Sequence, residues 1–386
     1  MRILHLGKFF PPVPGGIERA LAGMAEAGVA AGEQVAVLAH APPGVWRSRR
    51  HATATLPVWE AGCLGQLVYA PLSPQYPLLL TRLLRDFRPD LLHLHLPNTS
   101  AFFALLSPAA RRLPWVVHWH ADIPLDSGSP ALRLAYPLYR PWEQAVLRRA
   151  RAIIATSESY LQASSALLPW RDKVCVIPLS LAPSPAAGPA ANGASPAATW
   201  LGDGLRLLAV GRLSHYKGYD VLLQAMTELP QVSLLLIGSG EEEAHLRARV
   251  AALGLGGRVR LAGHVGDAEL QRAYAAAEAF CLPSLDRAEA FGLVLLEAMR
   301  AALPVVASDI PGSGVGHVAR AGETALLVPP GDHAALAAAL RDLAADAPLR
   351  ERLGRAGQVR WRAEFTPTQT TATLLQLYRR VLASPA

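Results

Sequence analysis

Short apolar runs alternate with amphipathic stretches along most of the chain. In the first half, RILHLG and QVAVLAH predict buried strands, and GGIERALAGMAEAGVAAG between them has the apolar spacing of a helix that ends at a glycine. Strand–helix alternation of this kind is typical of a parallel sheet with helices on both faces. The pattern therefore predicts an α/β fold. Further strands of this half are predicted at DLLHLHL, PWVVHWH and AIIATS.

A segment rich in Pro, Gly, Ala and Ser, at residues 181–204, interrupts the alternation and cannot bury an apolar face. The alternation then restarts, so we predict two Rossmann-like domains, at residues 1–180 and 205–360, with 181–204 as their linker. A last helix is expected within residues 361–386. Sheets of this type bind ligands beyond the carboxyl ends of their strands, so the expected site is a central cleft that the two domains face.

The composition excludes several classes of protein. Hydrophobic residues make up 51% of the 386 residues and charged residues 17%, which indicates large buried cores rather than disorder. Three cysteines lie far apart, at Cys63, Cys175 and Cys281, which fits neither a disulfide framework nor a zinc site. A reducing, cytoplasmic compartment is therefore expected. No secretory signal and no run of 18 apolar residues is visible, so we expect no transmembrane helix.

The net charge of +7 is unevenly distributed. Residues 1–180 contain 18 Lys/Arg and 11 Asp/Glu, a difference of +7, whereas residues 181–386 contain 19 of each. The basic first half, with RSRRH at 47–51 and RR at 111–112, predicts contact with an anionic partner or with the inner face of the cytoplasmic membrane. The arginine-rich usage of a GC-rich genome explains the same excess without any partner.

Two glutamates bracket the apolar stretch EAFGLVLLE. A helix from Ala290 onward would separate Glu289 and Glu297 by about 12 Å along its axis. Glycosidase carboxylate pairs work at about 5–9.5 Å, so the spacing disfavours a hydrolytic acid/base pair. The spacing suits two side chains that bind opposite ends of one extended ligand, such as a nucleotide sugar with a hexose at one end and a ribose at the other. Two ordinary helix charges are the alternative.

Two nearby segments could hold a diphosphate. The backbone N–H groups of Phe291 and Gly292 would face a ligand at the predicted helix start, where anions are favoured. In GRLSHYKG, Arg212 and Lys217 lie on the loop after a predicted strand, where two cations could clamp a diphosphate and neutralise a departing nucleotide. An ordinary solvated basic turn is the alternative.

The first half offers two further candidates. Gly15 and Gly16 in PPVPGGIE follow the first strand and open a helix, which could cradle a phosphate, although a plain tight turn explains them about as well. HWHAD ends another strand, and His120 there could hydrogen-bond a sugar hydroxyl or polarise the reacting centre. A metal site would need a third ligand beside His118 and His120, and the sequence identifies none.

In this order and spacing, five motifs resemble one family over essentially the whole chain. The chain is similar to the retaining group 1 glycosyltransferases of the two-Rossmann-domain GT-B architecture. Within that family it most resembles bacterial O-antigen and exopolysaccharide mannosyltransferases. The motifs are PGGIE, HWHAD, ATS at 155–157, GRLSHYKG and EAFGLVLLE.

The resemblance implies a role for each matching position. Glu289 would hold donor-sugar hydroxyls and Glu297 the ribose. Arg212 and Lys217 would bind the diphosphate, and His120 would contact the sugar near its anomeric carbon. The last helix, from about Trp361, would pack back on the first domain. The resemblance also implies that Gly15 and Gly16 contact the donor phosphates or the acceptor, and that Ser157 lies beside the site. The predicted substrate contacts further include Phe291 and Gly292 at the helix start, with the base near Gly263, His264 and Val265.

The implied reaction is metal-independent transfer of a hexose, with retention, from a nucleotide-diphosphate sugar to a lipid-linked saccharide. A GDP-sugar such as GDP-mannose is favoured and a UDP-sugar stays open; no cofactor and no nucleic-acid partner are expected. One position departs from the family, because Val318 stands about where relatives often have a glutamate. The role of that acid is not carried over.

Other functions remain compatible with two such domains. A nucleotide-sugar epimerase could share the architecture but not this set of motifs. A phosphorylase-like enzyme would need a pyridoxal lysine, which nothing in the sequence marks. A non-catalytic clamp for a small anionic ligand would be expected to have a broken EAFGLVLLE or GRLSHYKG, and both are intact.

Overall fold

The chain folds into two compact units. Unit 1 comprises Met1–Leu181 and Pro367–Ala386, and unit 2 comprises Ala182–Thr366. Most of the predicted linker, residues 184–198, lies outside the described residues. The computed structural model describes residues 1–53, 56–125, 130–183 and 199–383.

Unit 1 is built on an eight-stranded sheet that is parallel except for one edge hairpin. Its strand order is β10-β9-β8-β7-β1-β2-β4-β3, and a separate hairpin is formed by β5 and β6. The strands next to β1 are buried along almost their whole length, as expected for a sheet covered on both faces. The strands are β1 (Arg2–Leu6), β2 (Gln34–His40), β3 (Arg49–Thr53), β4 (Leu56–Ala61), β5 (Gly65–Leu67), β6 (Ala70–Leu72), β7 (Leu91–Leu96), β8 (Trp115–Trp119), β9 (Ala152–Ala155) and β10 (Val174–Val176).

Helices cover this sheet and connect its strands. The first of them begins at the glycine pair, because Gly15 is its N-cap and Gly16 its first residue. The unit 1 helices before the linker are α1 (Gly16–Ala30), α2 (Tyr76–Asp86), α3 (Phe103–Leu106), α4 (Pro108–Arg111), α5 (Pro130–Arg149) and α6 (Glu158–Ala163).

Unit 2 has a six-stranded, fully parallel sheet in the order β13-β12-β11-β14-β15-β16. This is the doubly wound order of a Rossmann fold. The predicted α/β class with two Rossmann-like domains is therefore confirmed. Its elements are β11 (Leu205–Val210), α7 (Tyr219–Met226), β12 (Val232–Ile237), α8 (Glu243–Ala252), β13 (Val259–Gly263), α9 (Asp267–Ala276), β14 (Ala279–Leu282), α10 (Leu293–Arg300), β15 (Val305–Ser308), α11 (Val315–Val318), β16 (Ala325–Val328), α12 (His333–Ala345) and α13 (Ala347–Glu364).

The last helix, α14 (Pro367–Ala383), belongs to unit 1, where it packs against α1. Its start differs from the expected position near Trp361, because Trp361 lies inside α13 and the chain leaves that helix only after Glu364. The far end of the predicted linker also differs. Thr199 accepts a hydrogen bond from Arg260, so the residues just before β11 pack on unit 2.

The strand order defines where a ligand is expected in each unit. In unit 2, the order reverses between β11 and β14, so the loops after these two strands meet at the switch point on the carboxyl edge of the sheet. In unit 1 the reversal falls between β1 and β7. Within the described parts of the chain, no helix is long and apolar enough to cross a membrane.

A buried acid in α5 gives unit 1 a pH-dependent stability. Burial raises the pKa of Glu143 to about 7, with hydrogen bonds to Gln144 and Tyr136 opposing the shift. Because the folded state holds the proton more tightly than the unfolded chain, stability decreases as pH rises from about 4.5 to 7. We expect Glu143→Gln to be the more stable form at pH 8, by about 2–3 kcal/mol, and equal to wild type near pH 4.5. Urea unfolding at both pH values measures this, and a constant difference would contradict it.

Candidate functional site

A buried ion pair joins the loops after the two switch-point strands of unit 2. Lys217 lies in a 3₁₀ turn, His215–Lys217, that follows β11, and Glu289 lies on the loop that follows β14. Lys217 Nζ is 2.6 Å from Glu289 Oε2. Both residues are only 7% exposed. The structure thus brings together two residues, 72 positions apart, that the sequence had placed in separate motifs.

Neighbouring side chains hold this pair in place. Ser284 Oγ donates to the same carboxylate oxygen of Glu289, at 2.9 Å. Lys217 Nζ also lies 5.4 Å from the centre of the Tyr216 ring. Burial by itself would lower the pKa of Lys217, but the Glu289 carboxylate, followed by Tyr216 and Tyr219, raises it well above its ordinary value. Lys217 is therefore a permanent cation at neutral pH.

A glycine allows the two loops to approach each other. Gly218 has a φ of +68°, and a Cβ on it would lie 2.0 Å from the carbonyl oxygen of Pro283. A side chain at this position would therefore clash with the loop that carries Glu289. Gly211 has a similar function, because its Cβ would lie 2.7 Å from the hydroxyl oxygen of Tyr219 and 3.3 Å from Lys217 Cε. The glycines that bracket GRLSHYKG thus permit the close packing of the ion pair.

The expected helix from Ala290 is wrong, because α10 begins at Leu293. Gly292 adopts a left-handed conformation with a φ of +78° as the N-cap, which separates the preceding residues from the helix. The 12 Å separation of the two glutamates, which assumed a continuous helix, therefore does not apply. The Gly292 N–H does lie at the helix start, but Phe291 precedes it and packs its buried ring against Phe365.

Glu297 lies within α10 and is only 3% exposed. Its Oε2 accepts a hydrogen bond of 2.7 Å from the hydroxyl of Tyr274 in α9. Burial of a carboxylate requires such partners, since an unpaired buried charge is very costly. The hydrogen bond holds the side chain of Glu297 against α9, and its contact with a ribose stays a prediction.

Sequence reasoning assigned no role to the loop after β15, although it supports the site. Ser313 Oγ donates to the backbone oxygen of Glu289, and the Gly314 N–H donates to the backbone oxygen of Ala290 at 2.8 Å. The available signal was the glycine-rich stretch PGSGVG, residues 311–316, which directly precedes the position of the missing family acid at Val318. Val318, at the position of that acid, is fully buried.

The remaining unit 2 candidates lie at the same carboxyl edge of the sheet. Arg212 lies two residues after the end of β11 and is exposed. Gly263 ends β13, His264 is exposed and Val265 is buried. Because β13 is two strands away from β11 in the sheet, the carboxyl ends of these two strands are about 10 Å apart. That distance suits an extended ligand.

In unit 1, His120 follows β8 and is 4% exposed. Its Nε2 lies 2.9 Å from Nδ1 of His95 in β7. Burial lowers the pKa of His120 to about 3, so the ring is neutral at physiological pH. A neutral imidazole can orient a hydroxyl, but it does not supply positive charge to a phosphate.

Buried histidines of unit 1 form two groups with metal-ligating atoms within 4.8 Å of one another. The third ligand that the sequence did not identify is therefore available as His95. The geometry of its contact with His120 is nevertheless that of a hydrogen bond, and the absence of a metal stays a prediction. The groups are His5, His93 and His95, and His95, His118 and His120.

The glycine pair and Ser157 differ in their surroundings. A Cβ on Gly15 would lie 1.9 Å from the carboxylate of Glu18, whereas a Cβ on Gly16 would meet nothing within 4 Å. Gly16 thus leaves open space at the start of α1. Ser157 is fully buried as the N-cap of α6, where its hydroxyl accepts from the Tyr160 N–H at 3.2 Å. The structure gives Ser157 a helix-capping role.

Two family descriptions match the chain, one in each unit. Residues 197–360 match the glycosyl transferases group 1 family, and residues 15–180 match the glycosyl transferase 4-like domain. A phosphatidyl-myo-inositol mannosyltransferase of Mycobacterium leprae is 33% identical over 100% of this chain and 98% of its own length. The O-antigen chain mannosyltransferase C of Escherichia coli is 27% identical over the full length of both chains.

Solved structures agree with this assignment at the level of the fold. The sucrose-phosphate synthase of Thermosynechococcus elongatus superposes with a TM-score of 0.80 at 24% identity, and all of both chains is covered. The two Rossmann-like units and the full-length relatives therefore lead to one conclusion: the chain belongs to the group 1 glycosyltransferases of the GT-B architecture.

Proposed function

We propose that the protein is a retaining, metal-independent hexosyltransferase of cell-surface polysaccharide or glycolipid synthesis. Its favoured donor is GDP-mannose, and its acceptor is a lipid-linked saccharide. The observation that carries this proposal is the Lys217–Glu289 pair, which presents a permanent cation and a carboxylate side by side at the switch point of unit 2. One donor molecule offers a partner to each: the diphosphate to the lysine and the sugar hydroxyls to the glutamate.

The proposed chemistry breaks the bond between the anomeric carbon and the diphosphate oxygen. Lys217, with exposed Arg212 beside it, stabilises the negative charge that grows on the departing nucleotide. The acceptor hydroxyl attacks from the face that the nucleotide leaves, and its proton passes to the departing phosphate. Glu289 is unsuited to act as a nucleophile, because one of its oxygens already accepts from Lys217 and Ser284.

The names of the relatives support the choice of sugar and acceptor. Both are named mannosyltransferases; one name specifies phosphatidyl-myo-inositol and the other an O-antigen chain. The first name specifies a phospholipid and the second a polysaccharide chain, and we propose a saccharide carried on a lipid as the acceptor of this protein. A lipid acceptor would require this protein to work at a membrane surface, where exposed apolar side chains could enter the bilayer interface.

Exposed apolar side chains are concentrated in unit 1. Twelve of the thirteen large ones among the described residues belong to it. On α5, Leu134, Leu138 and Trp142 recur every four residues and therefore lie on one face, with exposures of 82%, 78% and 43%. Arg133 and Arg140 on the same helix are exposed as well. An apolar stripe flanked by arginines fits a helix that lies in the interface of an anionic bilayer.

Replacing two of these leucines tests the membrane contact. We expect the double variant Leu134→Gln/Leu138→Gln to bind vesicles that contain phosphatidylglycerol at least about tenfold more weakly than wild type, because it removes two insertable side chains. Vesicle co-sedimentation measures this, and Val359→Gln, at the exposed apolar position of unit 2, serves as the control. Equal binding by the double variant would contradict the contact.

A donor panel tests the proposed function itself. Purified protein is incubated with radiolabelled GDP-mannose, UDP-glucose and ADP-glucose, each with phosphatidyl-myo-inositol or with a bacterial lipid extract. We expect label from GDP-mannose to enter the organic phase as a mannoside with the anomeric configuration of the donor. Preference for a UDP-sugar would correct the donor, and an inverted product would overturn retention. No nucleotide release from any donor would overturn the transferase proposal.

A further inference from the structure

Three histidines of unit 1 form a continuous hydrogen-bonded chain across neighbouring strands. His5 Nδ1 lies 2.9 Å from His95 Nε2, and His95 Nδ1 lies 2.9 Å from His120 Nε2. His5 belongs to β1, His95 to β7, and His120 directly follows β8; these three strands are adjacent in the sheet. All three are at most 4% exposed. His120, the candidate site residue, is thus the outer end of a buried chain that reaches His5.

The ring orientations identify these contacts as in-plane hydrogen bonds. The ring centroids are 5.2 Å apart for His95–His120 and 5.3 Å apart for His5–His95, with interplanar angles of 16° and 26°. Each centroid separation equals the distance between the two bonded nitrogens plus the distance from each nitrogen to the centre of its own ring. The two nitrogens therefore lie on the line that joins the ring centres, and each hydrogen bond lies close to the planes of both rings. Two nitrogens bound to one tetrahedral metal ion at about 2.0–2.1 Å would lie about 3.3 Å apart. The observed separations of 2.9 Å are those of direct hydrogen bonds.

Each of these rings is neutral, because complete burial lowers the pKa of His5 and His120 to about 3 and that of His95 well below its ordinary value. A neutral imidazole has one protonated and one unprotonated nitrogen. If His120 donates from Nε2, then His95 accepts at Nδ1 and must donate from Nε2 to His5. If His5 instead donates from Nδ1, then His95 accepts at Nε2 and must donate from Nδ1 to His120 Nε2. A mixed arrangement would place two lone pairs or two protons face to face at 2.9 Å.

We propose that His5 and His95 are positioning residues that couple the three rings into one shared tautomer and thereby set the proton on His120 Nδ1. In the arrangement with Nε2 protonated, His120 Nδ1 accepts a hydrogen bond from a sugar hydroxyl. In the reverse arrangement, it donates one. His120 Nδ1 has no partner within the described residues and is buried, so its single remaining bond is decided by its tautomer. This inference rests on the proposed contact of His120 with the donor sugar.

The tautomers are directly measurable. Protein labelled with ¹⁵N-histidine gives long-range ¹H–¹⁵N correlation spectra that distinguish protonated from unprotonated ring nitrogens, and single His→Phe variants assign the signals. We expect His5, His95 and His120 of the wild-type protein to be neutral and to share one tautomer. Different tautomers among the three rings, a charged ring, or signals shifted by a bound metal would overturn the proposal. This measurement needs no donor, so it stands even if the transferase proposal fails.

A pair of variants tests whether the hydrogen-bonded histidine chain affects the reaction. We expect His95→Phe to turn His120 into a mixture of tautomers and to lower kcat with GDP-mannose by about 3- to 10-fold, the effect of one hydrogen bond, while KM changes less than about twofold. His118→Phe is the matched control. His118 is equally buried and stacks on His120 at 4.3 Å, but neither of its ring nitrogens has a partner in the described chain. Equal kcat losses in the two variants would overturn the positioning role. If His95→Phe does not fold, the wild-type tautomers decide.

Discussion

Lys217→Met is expected to lower kcat/KM for glycosyl transfer by about 10²–10³-fold, the usual effect of removing one preorganised group that stabilises transition-state charge. Methionine fills similar space without charge, so the loop geometry around Gly211 and Gly218 should persist. Steady-state kinetics with the preferred donor measures the effect. Arg206→Met is the control, since Arg206 belongs to a half-exposed ion pair with Glu278 in the same unit.

Stability measurements separate this catalytic effect from a structural one. Lys217→Met leaves the buried Glu289 without its cation, which should cost about 3–5 kcal/mol of folding free energy. The double variant Lys217→Met/Glu289→Gln removes both charges and should recover most of that loss, because replacing a buried pair as a unit is often nearly neutral. We expect its transfer activity to remain as low as that of Lys217→Met. A stable double variant with wild-type activity would show that the pair is only structural.

Glu289→Gln is the second variant with a large expected effect. It keeps the size of the side chain and one hydrogen-bond acceptor but removes the charge that we propose binds sugar hydroxyls, so kcat/KM should fall by about 10²-fold. Affinity for free GDP should change less than about threefold, because GDP carries no hexose. Kinetics and GDP titration on the same preparation measure both quantities.

The control for this variant is Glu278→Gln, which removes an exposed carboxylate from the same unit. Full activity in Glu289→Gln would contradict the sugar-binding role. A parallel loss of GDP affinity that persists at a pH low enough to keep Lys217 protonated would move the role of Glu289 from the sugar to the diphosphate. Glu289→Gln should also lower the pKa of Lys217. The Glu289 carboxylate is the largest influence that raises this pKa, and without it the burial of Lys217 would lower the pKa.

Much of the fold could be predicted because strands that are buried on both faces consist of continuous runs of apolar residues. LRLLAV and VSLLLI are two such runs, and they form β11 and β12. The alternation of such runs with helical stretches predicts a parallel sheet. The edge elements could not be predicted in this way. β3 reads RRHAT and faces solvent, so it has neither an apolar run nor a clear period. The α13 helix was missed because its sequence is rich in arginine and its apolar face is narrow.

The site was predicted as a set of motifs, but not as a geometry. Lys217 and Glu289 were assigned to separate binding roles, and nothing in either motif indicated that the two side chains would form a salt bridge. The helix α10 was predicted to start too early because helix propensity was extended through Gly292. Gly292 is left-handed and precedes the helix as its N-cap, and a Cβ on it would lie 2.8 Å from Leu295 Cδ1. The histidine chain was invisible because its links run diagonally between three strands that are distant in sequence.

We expect Lys217 to bind the diphosphate of the nucleotide-sugar donor, and a comparison of GDP with GMP isolates that contact. Both nucleotides are titrated calorimetrically into wild type and into Lys217→Met. Wild type should bind GDP at least about tenfold more tightly than GMP, and the variant should lose this preference while its affinity for GMP hardly changes. An equal preference for GDP over GMP in the two proteins would show that Lys217 does not bind the diphosphate.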